Sequence, residues 1–114
     1  CPSGYRVPTI DQWKAVIANN NVERVGSWIS NANNYTTAIY FRNSSNIRTL
    51  MLPTAGYRDD EDGSQRIRGF NGNYWSSGEY TSTKNGIYIS FNSSNLSNYR
   101  ASRMFGYSVR CIAE

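Results

Sequence analysis

The sequence contains no histidine and only two cysteines, and these scarcities exclude many catalytic arrangements. A Ser-His-Asp or Cys-His arrangement requires histidine. The absence of histidine and of any Cys-x-x-Cys spacing also argues against structural zinc. The glycine pair in 69–72 lacks the Lys and Ser/Thr of a phosphate-binding P-loop. We therefore expect a protein that is not an enzyme and uses neither a metal nor a cofactor.

Carboxylates are also scarce outside one short run. That run, 59–62, is expected to be a solvated surface loop, because carboxylates within one loop usually face water. Its spacing does not match an EF-hand, and whether it binds calcium stays open. A pocket in which Glu79 lies near a second carboxylate would instead indicate an enzyme, because paired carboxylates can catalyse glycoside hydrolysis.

The sequence has no apolar run of about 20 residues, so we expect no membrane insertion by this domain. The net charge is +4, but the basic residues are scattered, whereas nucleic-acid binders cluster them on one face. We therefore expect no nucleic-acid partner. The length fits one domain over 1–114, expected to be excised from a longer exported protein with upstream domains.

Aromatic residues make up 14% of the chain, and nine of them are tyrosines. Asparagine and serine are also abundant, and they favour turns because their side chains bond the local backbone. We expect a loop-rich domain with short strands. The same residue types, Tyr, Ser, Gly and Asn, dominate antibody paratopes, so a polar binding surface is the alternative reading.

Cys1 and Cys111 bracket nearly the whole chain, which suggests a covalent staple between the two ends. Such a bond persists only in an oxidising compartment. Two alternatives stay open at this point. Both thiols could be free and buried, or Cys1 could be the lipid-modified first residue of a mature lipoprotein.

Local patterns predict one or two short helices followed by many short strands. Thr9 and Gln12 form a capping box for a helix whose apolar face includes Trp13. A second helix is predicted over Val22–Ile29. Strands are predicted at Tyr5–Val7, Tyr35–Phe41, Leu50–Leu52, from Tyr74 onward, Ile87–Phe91, Leu96–Met104 and Tyr107–Ile112, with a hairpin turn at Asn92–Asn95. This order indicates an α+β domain.

Four segments together resemble the Fibrobacter succinogenes major paralogous domain family. They are the start CPSGYRVPT followed by Trp13, LPTAGYRD at 52–59, YWSS at 74–77 and GYSVRC at 106–111. Tyr5 stands where the family more usually has Trp. The resemblance implies a C-type-lectin-like fold and a Cys1–Cys111 disulfide. It also implies placement on secreted or surface proteins, particularly of Bacteroidetes, including lipoproteins and adhesin-like or pilus-associated proteins.

The C-terminal part also looks like the variable region of diversity-generating retroelement proteins. Such proteins display mutable side chains on a C-type-lectin-like scaffold, and Asn85, Asn92, Asn95 and Asn98 are compatible with that pattern. The Glu-Pro-Asn, Gln-Pro-Asp and Trp-Asn-Asp motifs of calcium-dependent sugar binders are absent. The resemblance therefore does not imply calcium-mediated sugar binding.

We expect an extracellular or outer-membrane-surface adhesion module that recognises a protein or glycan through its C-terminal half. Tyr99 and Arg100 are expected to be exposed, and Trp75 is expected to lie in the core. The alternatives are a structural domain of a surface or pilus-like assembly and a variable ligand-binding protein of a retroelement. The candidate ligand-binding residues are Glu79, Tyr80, Lys84, Tyr88, Asn98, Tyr99, Arg100 and Arg103.

Overall fold

The computed structural model describes residues 1–82 and 84–114, and within them it has one helix and ten short strands. The helix, α1, spans Ile10–Asn19. The strands are β1 (Tyr5–Arg6), β2 (Asn21–Val25), β3 (Ala38–Arg42), β4 (Arg48–Pro53), β5 (Tyr57–Arg58), β6 (Gln65–Arg66), β7 (Gly72–Tyr80), β8 (Asn85–Phe91), β9 (Leu96–Ser102) and β10 (Ile112–Ala113). In this described part no helix has the length and hydrophobicity needed to cross a bilayer.

The strands form four small sheets whose strand pairings are all antiparallel. Their orders are β1-β10, β2-β3-β4, β5-β6 and β7-β8-β9. The sulfurs of Cys1 and Cys111 are 2.06 Å apart beside the β1–β10 pair. The predicted α+β domain with mostly antiparallel strands and disulfide-joined ends is therefore confirmed.

Helix α1 begins where the sequence predicts. The Thr9 hydroxyl accepts a hydrogen bond from the Gln12 amide at 3.1 Å, and the Gln12 side-chain oxygen accepts one from the Thr9 amide at 2.9 Å. This reciprocal arrangement is the predicted capping box. Trp13 is buried, and its indole N–H donates to the Trp75 carbonyl at 3.3 Å. The helix is thereby fixed against β7.

The hydrophobic core lies between α1 and one face of each three-stranded sheet. Tyr74 brings a hydroxyl into this core, where it donates to the Pro53 carbonyl at 2.7 Å. Burial raises the pKa of Tyr74 well above its ordinary value. The buried members of the core are Trp13, Ile39, Phe41, Leu52, Tyr74, Ile89 and Phe91.

The predicted second helix over Val22–Ile29 is wrong. Residues Asn21–Val25 form strand β2, which pairs along its whole length with β3, and Gly26 follows in the left-handed region at φ +88°. Two β-branched valines and the interior glycine favour helix only weakly. The ladder to β3 therefore outweighs the helical spacing of the apolar residues.

The predicted last strand over Tyr107–Ile112 is also largely wrong. Only Ile112–Ala113 forms a strand, paired with β1, while Ser108 makes a single bridge to Tyr74. Val109, which lies within the predicted strand, is 47% exposed. The segment crosses from one sheet to another, so it cannot hold a continuous ladder with either.

Candidate functional site

The β7-β8-β9 sheet has two unlike faces. Tyr74, Ile89 and Phe91 face the core. On the opposite face the register places Trp75 beside Tyr88, and Tyr88 beside Tyr99. Their rings are in contact, with centroids 5.8 Å apart for the first pair and 5.9 Å for the second. Three neighbouring strands thus each contribute one aromatic side chain to the same face.

Three aromatic residues from other segments extend this row. Tyr107 lies at its centre, with its ring centroid 4.5 Å from those of both Trp75 and Tyr88. Phe105 stacks on Tyr107 at 5.6 Å, and Tyr57 contacts both edge-on. We call this surface cluster the aromatic patch; its members are Tyr57, Trp75, Tyr88, Tyr99, Phe105 and Tyr107.

Backbone contacts between distant segments hold the aromatic patch together. The Trp75 amide donates to the Ser108 carbonyl, and the Ser108 amide donates to the Asn73 carbonyl, both at 2.9 Å. Arg58 and Gly106 exchange two further bonds of 2.9 Å, which bring Tyr57 beside Phe105 and Tyr107. The segment after β9 is therefore fastened to β5 and β7 through its main chain.

A glycine beneath the patch allows the close approach of one ring. A Cβ atom on Gly86 would lie 2.8 Å from the Trp75 ring, so this position of β8 leaves room for the indole to lie against the strand. The indole is half-buried as a result. Trp75, which the sequence favours as a core residue, lies outside the core cluster and in the aromatic patch.

The aromatic patch is only partly covered. Five of its members are half-buried, and Tyr99 is 47% exposed, as predicted for this residue. Arg100 is exposed as well, which confirms the second of those exposure predictions. A cluster of aromatic rings outside the core with some of its area in contact with water is the composition found at the centres of protein interfaces.

The hydroxyl of Tyr107, at the centre of the patch, should lose its proton only at a higher pH than an ordinary tyrosine. Burial, and after it the neighbouring Tyr88, raises the pKa of Tyr107 well above its ordinary value of about 10. Above that pH the native state keeps a proton that the unfolded chain releases, so the free energy of unfolding should fall as the pH rises.

We expect the replacement Tyr107→Phe to reduce this alkaline loss of stability, since phenylalanine has no proton to release. The measurement is denaturant unfolding at a series of pH values from neutral to alkaline. Tyr74, whose pKa is also raised, remains in the variant and supplies the residual slope. Identical slopes in the wild type and in Tyr107→Phe would contradict the assignment.

Most of the predicted ligand-binding residues lie around one open pocket beside the patch. The pocket has a volume of about 450 Å³. The Arg100 guanidinium lies over the Tyr80 ring, 4.3 Å from its centroid. We call this the β9 pocket; it is lined by Tyr80, Ile87, Tyr88, Asn98, Tyr99 and Arg100.

The other three predicted residues do not line the β9 pocket. Arg103 and Glu79 form an exposed ion pair of 3.3 Å at the rim of a neighbouring pocket of about 290 Å³, which also includes Trp75. Lys84 is exposed in the turn between β7 and β8. Their role in ligand binding stays a prediction, as does that of the residues in the β9 pocket.

The acidic loop 59–62 lies against its own hairpin. The Asp59 carboxylate accepts hydrogen bonds from the Glu61 amide at 2.9 Å and from Arg66 at 3.1 Å. The first of these bonds is the main reason that the pKa of Asp59 is lowered. Within residues 1–82 and 84–114, no group of three or more His, Cys, Asp or Glu side chains is placed to hold a metal ion.

Sequence reasoning missed four members of the patch: Trp75, which it placed in the core, and Tyr57, Phe105 and Tyr107, which it did not propose as binding residues. The alternation of residues predicts a strand over Tyr107–Ile112 with Tyr107 and Val109 on one face, but only Ile112–Ala113 forms a strand there. The predicted hairpin turn at 92–95 is the local signal from which the pairing of Tyr88 with Tyr99 could have been inferred. No comparable local signal connects Tyr57 with Tyr107, because the bridges between them join segments about fifty residues apart in the sequence.

Comparison with known proteins gives one match. The family model described as the Fibrobacter succinogenes major domain matches residues 1–113. This confirms the resemblance carried by the four motifs. No curated protein and no solved structure matches the chain.

Proposed function

This chain belongs to the Fibrobacter succinogenes major domain family, and from that premise we propose that it is a non-enzymatic binding module of the cell surface. In this proposal the domain has a C-type-lectin-like scaffold and is part of an exported protein. Its contact surface is the aromatic patch together with the adjoining β9 pocket, and its ligand is an extracellular protein or glycan.

The observation that carries the proposal is the aromatic patch. Six aromatic side chains form a continuous cluster outside the hydrophobic core, and all of them remain partly accessible. The informative feature is that these rings are contiguous, because apolar residues exposed singly are common on protein surfaces. Exposed clusters of this composition mark sites of interaction, and tyrosine and tryptophan are the residues that most often dominate binding energy.

The scaffold beneath the patch suits a binding role because it limits the entropy lost on association. Four of the six rings belong to paired strands, and the segment that carries the other two is held by main-chain hydrogen bonds. Tyr88 lies on the central strand of its sheet, with neighbours on both sides. A ligand would therefore meet rings that already occupy defined positions.

An extracellular location is supported by the disulfide between Cys1 and Cys111. Bonds of this kind form and persist in secreted proteins and are rare in the cytosol. Non-enzymatic function is supported by the composition, since a chain without histidine lacks the most frequent general acid and base.

We expect the replacement Tyr99→Ala to weaken ligand binding about tenfold without changing the melting temperature. Tyr99 is 47% exposed on the edge strand β9, so its removal takes away contact area for a ligand but little from the core. The measurement is binding of the purified domain to arrays of extracellular-matrix proteins and of glycans.

The matched control is Tyr5→Ala. Tyr5 is 49% exposed on β1, but it lies outside the aromatic patch and the β9 pocket, and binding should be unchanged. Equal affinities of the wild type and Tyr99→Ala for every captured ligand would contradict the proposed surface. Burial of the patch by a neighbouring domain of the full-length protein would indicate a structural role instead.

A further inference from the structure

We infer that the β9 pocket binds a saccharide that carries a carboxylate. This inference rests on the proposed binding function and names the ligand class for one part of its surface.

The pocket has the dimensions of a small-molecule site and is open to solvent. Its volume of about 450 Å³ falls within the range of about 300–1,000 Å³ that such sites occupy. It lies at the free edge of the β7-β8-β9 sheet, where β9 has a partner on one side only. A sugar unit within a longer chain could therefore enter while the rest of the glycan extends into water.

Arg100 supplies a positive charge that the domain itself does not neutralise. In the part of the chain that the structure describes, the arginines in ion pairs are Arg42, Arg48, Arg66 and Arg103. No carboxylate lies within ion-pair distance of Arg100 in that part. The nearby cation of Arg103 is already paired with Glu79 at 3.3 Å. The charge available in the pocket therefore matches one carboxylate.

The orientation of this guanidinium is set by an aromatic ring. Arg100 lies 4.3 Å from the centroid of the Tyr80 ring, an arrangement that leaves the N–H groups along the edge of the planar fork free to donate. A carboxylate accepts two such bonds in parallel, and charge-assisted pairs of this kind are stronger than neutral hydrogen bonds. The pocket thus offers an oriented site for a planar anion.

The remaining walls fit a sugar ring better than an acidic peptide. The pairing of the strands places Asn98, Arg100 and Ile87 on one face of the sheet, and Tyr80 lies beside them under the guanidinium. Tyr80 contributes aromatic surface for the C–H groups of a pyranose and a hydroxyl for its polar edge, while Tyr88 and Tyr99, whose rings belong to the aromatic patch, also line the pocket. Asn98 adds an amide that both donates and accepts. Ile87 is the one aliphatic residue in the lining. An acidic side chain would engage Arg100 but would leave most of these polar groups unused.

The experiment compares saccharides that differ in their negative charge. The probes are trigalacturonic acid with its full methyl ester, and 3'-sialyllactose with lactose, titrated by calorimetry into the domain. We expect at least one acid to bind about tenfold or more tightly than its neutral counterpart, and to bind more weakly as the salt concentration rises. The pair that shows the difference distinguishes a uronic acid from a sialic acid.

Variants then assign the effect to one residue. Arg100→Gln should remove the preference for the acid over its neutral counterpart. Arg100→Lys should restore part of it, because lysine keeps the charge but not the fork. Lys14→Gln removes the same charge from the exposed face of α1, away from the pocket lining, and should leave binding unchanged.

Three results would overturn the inference: equal binding of acid and neutral forms, no binding of either acid, or equally tight binding of a hexaglutamate peptide. None of these bears on the proposed function itself, since protein ligands captured on the arrays would still show the effect of Tyr99→Ala. If Tyr99→Ala has no effect on binding to the arrays while Arg100→Gln abolishes binding of the acidic saccharide, the proposed function of the aromatic patch is contradicted. The inference about the β9 pocket is then supported.

Discussion

Replacing Cys1 and Cys111 together by serine should lower the free energy of unfolding by about 4.7 kcal/mol. The value follows from the entropy that a closed loop of about 100 residues removes from the unfolded chain. The two cysteines are 110 positions apart, so the bond constrains almost the entire sequence. Domains of this size have a total stability of about 5–15 kcal/mol, and the loss would therefore be a large part of it.

Few other contacts hold the two ends of the chain together near the disulfide. Beside it, β1 and β10 are two residues long and pair only with each other. Cys1 is exposed, and so are the three residues that follow it. Without the disulfide the two ends would be held by a few solvent-accessible hydrogen bonds, which open at low cost.

The measurement is guanidinium-induced unfolding of the wild type and of the double variant, each with and without a reducing agent. The reduced wild type should have the same unfolding midpoint as the double variant, and the reducing agent should leave the double variant unchanged. A double variant with the midpoint of the oxidised wild type would contradict the stabilising role assigned to the disulfide.

The replacement Gly56→Ala should destabilise the domain by about 3 kcal/mol, the second large effect. Gly56 has a φ of +65°, and a Cβ atom there would lie 2.0 Å from the Arg66 carbonyl oxygen. The backbone atoms of the β5–β6 hairpin would have to move to admit it. The strained conformation and the steric overlap both oppose the folded state.

Gly63→Ala is the matched control for this change. Gly63 has a similar φ of +69°, but a Cβ atom there would have no neighbour within 4 Å. Its replacement should cost about 1 kcal/mol, which is the conformational part alone. Denaturant unfolding of both variants separates the two contributions, and equal losses would show that the predicted overlap at Gly56 is relieved without cost.

The position of Gly56 also links stability to the aromatic patch. Its amide donates to the Asn71 carbonyl at 2.9 Å immediately before β7, and Tyr57 of the patch is the next residue. A shift of this segment would move Tyr57 away from Tyr107. We therefore expect Gly56→Ala, but not Gly63→Ala, to reduce the near-ultraviolet circular dichroism of the packed aromatic rings.

Two sequence-based errors have a common cause. Val22–Ile29 has apolar residues at helical spacing, yet Val22 and Val25 lie in a strand, because β3 offers a complete ladder that the local pattern does not reveal. Tyr107 and Val109 alternate as in a strand, yet the chain there crosses between sheets. In both segments the backbone conformation is set by pairing with a strand or segment that is distant in the sequence.

Predictions that depend on neighbouring residues succeeded. Thr9 and Gln12 start α1 three positions apart, and the asparagine turn at 92–95 sets the β8–β9 register that places Tyr88 opposite Tyr99. With two cysteines, an intramolecular disulfide has one connectivity, and the family resemblance pointed to the same pair. Five candidate ligand-binding residues line one pocket because they lie on strands of one sheet, which the hairpin already connects.

By itself the sequence therefore determined the helix with its cap and the hairpin turn, and the family resemblance implied the bond between the ends. The helix cap and the turn follow from contacts within a few residues. The tertiary structure alone decided that Tyr57, Trp75 and Tyr107 meet at the surface. Their ring contacts join residues 32 and 50 positions apart in the sequence, and such contacts depend on how whole sheets pack against each other, which a local sequence pattern does not specify.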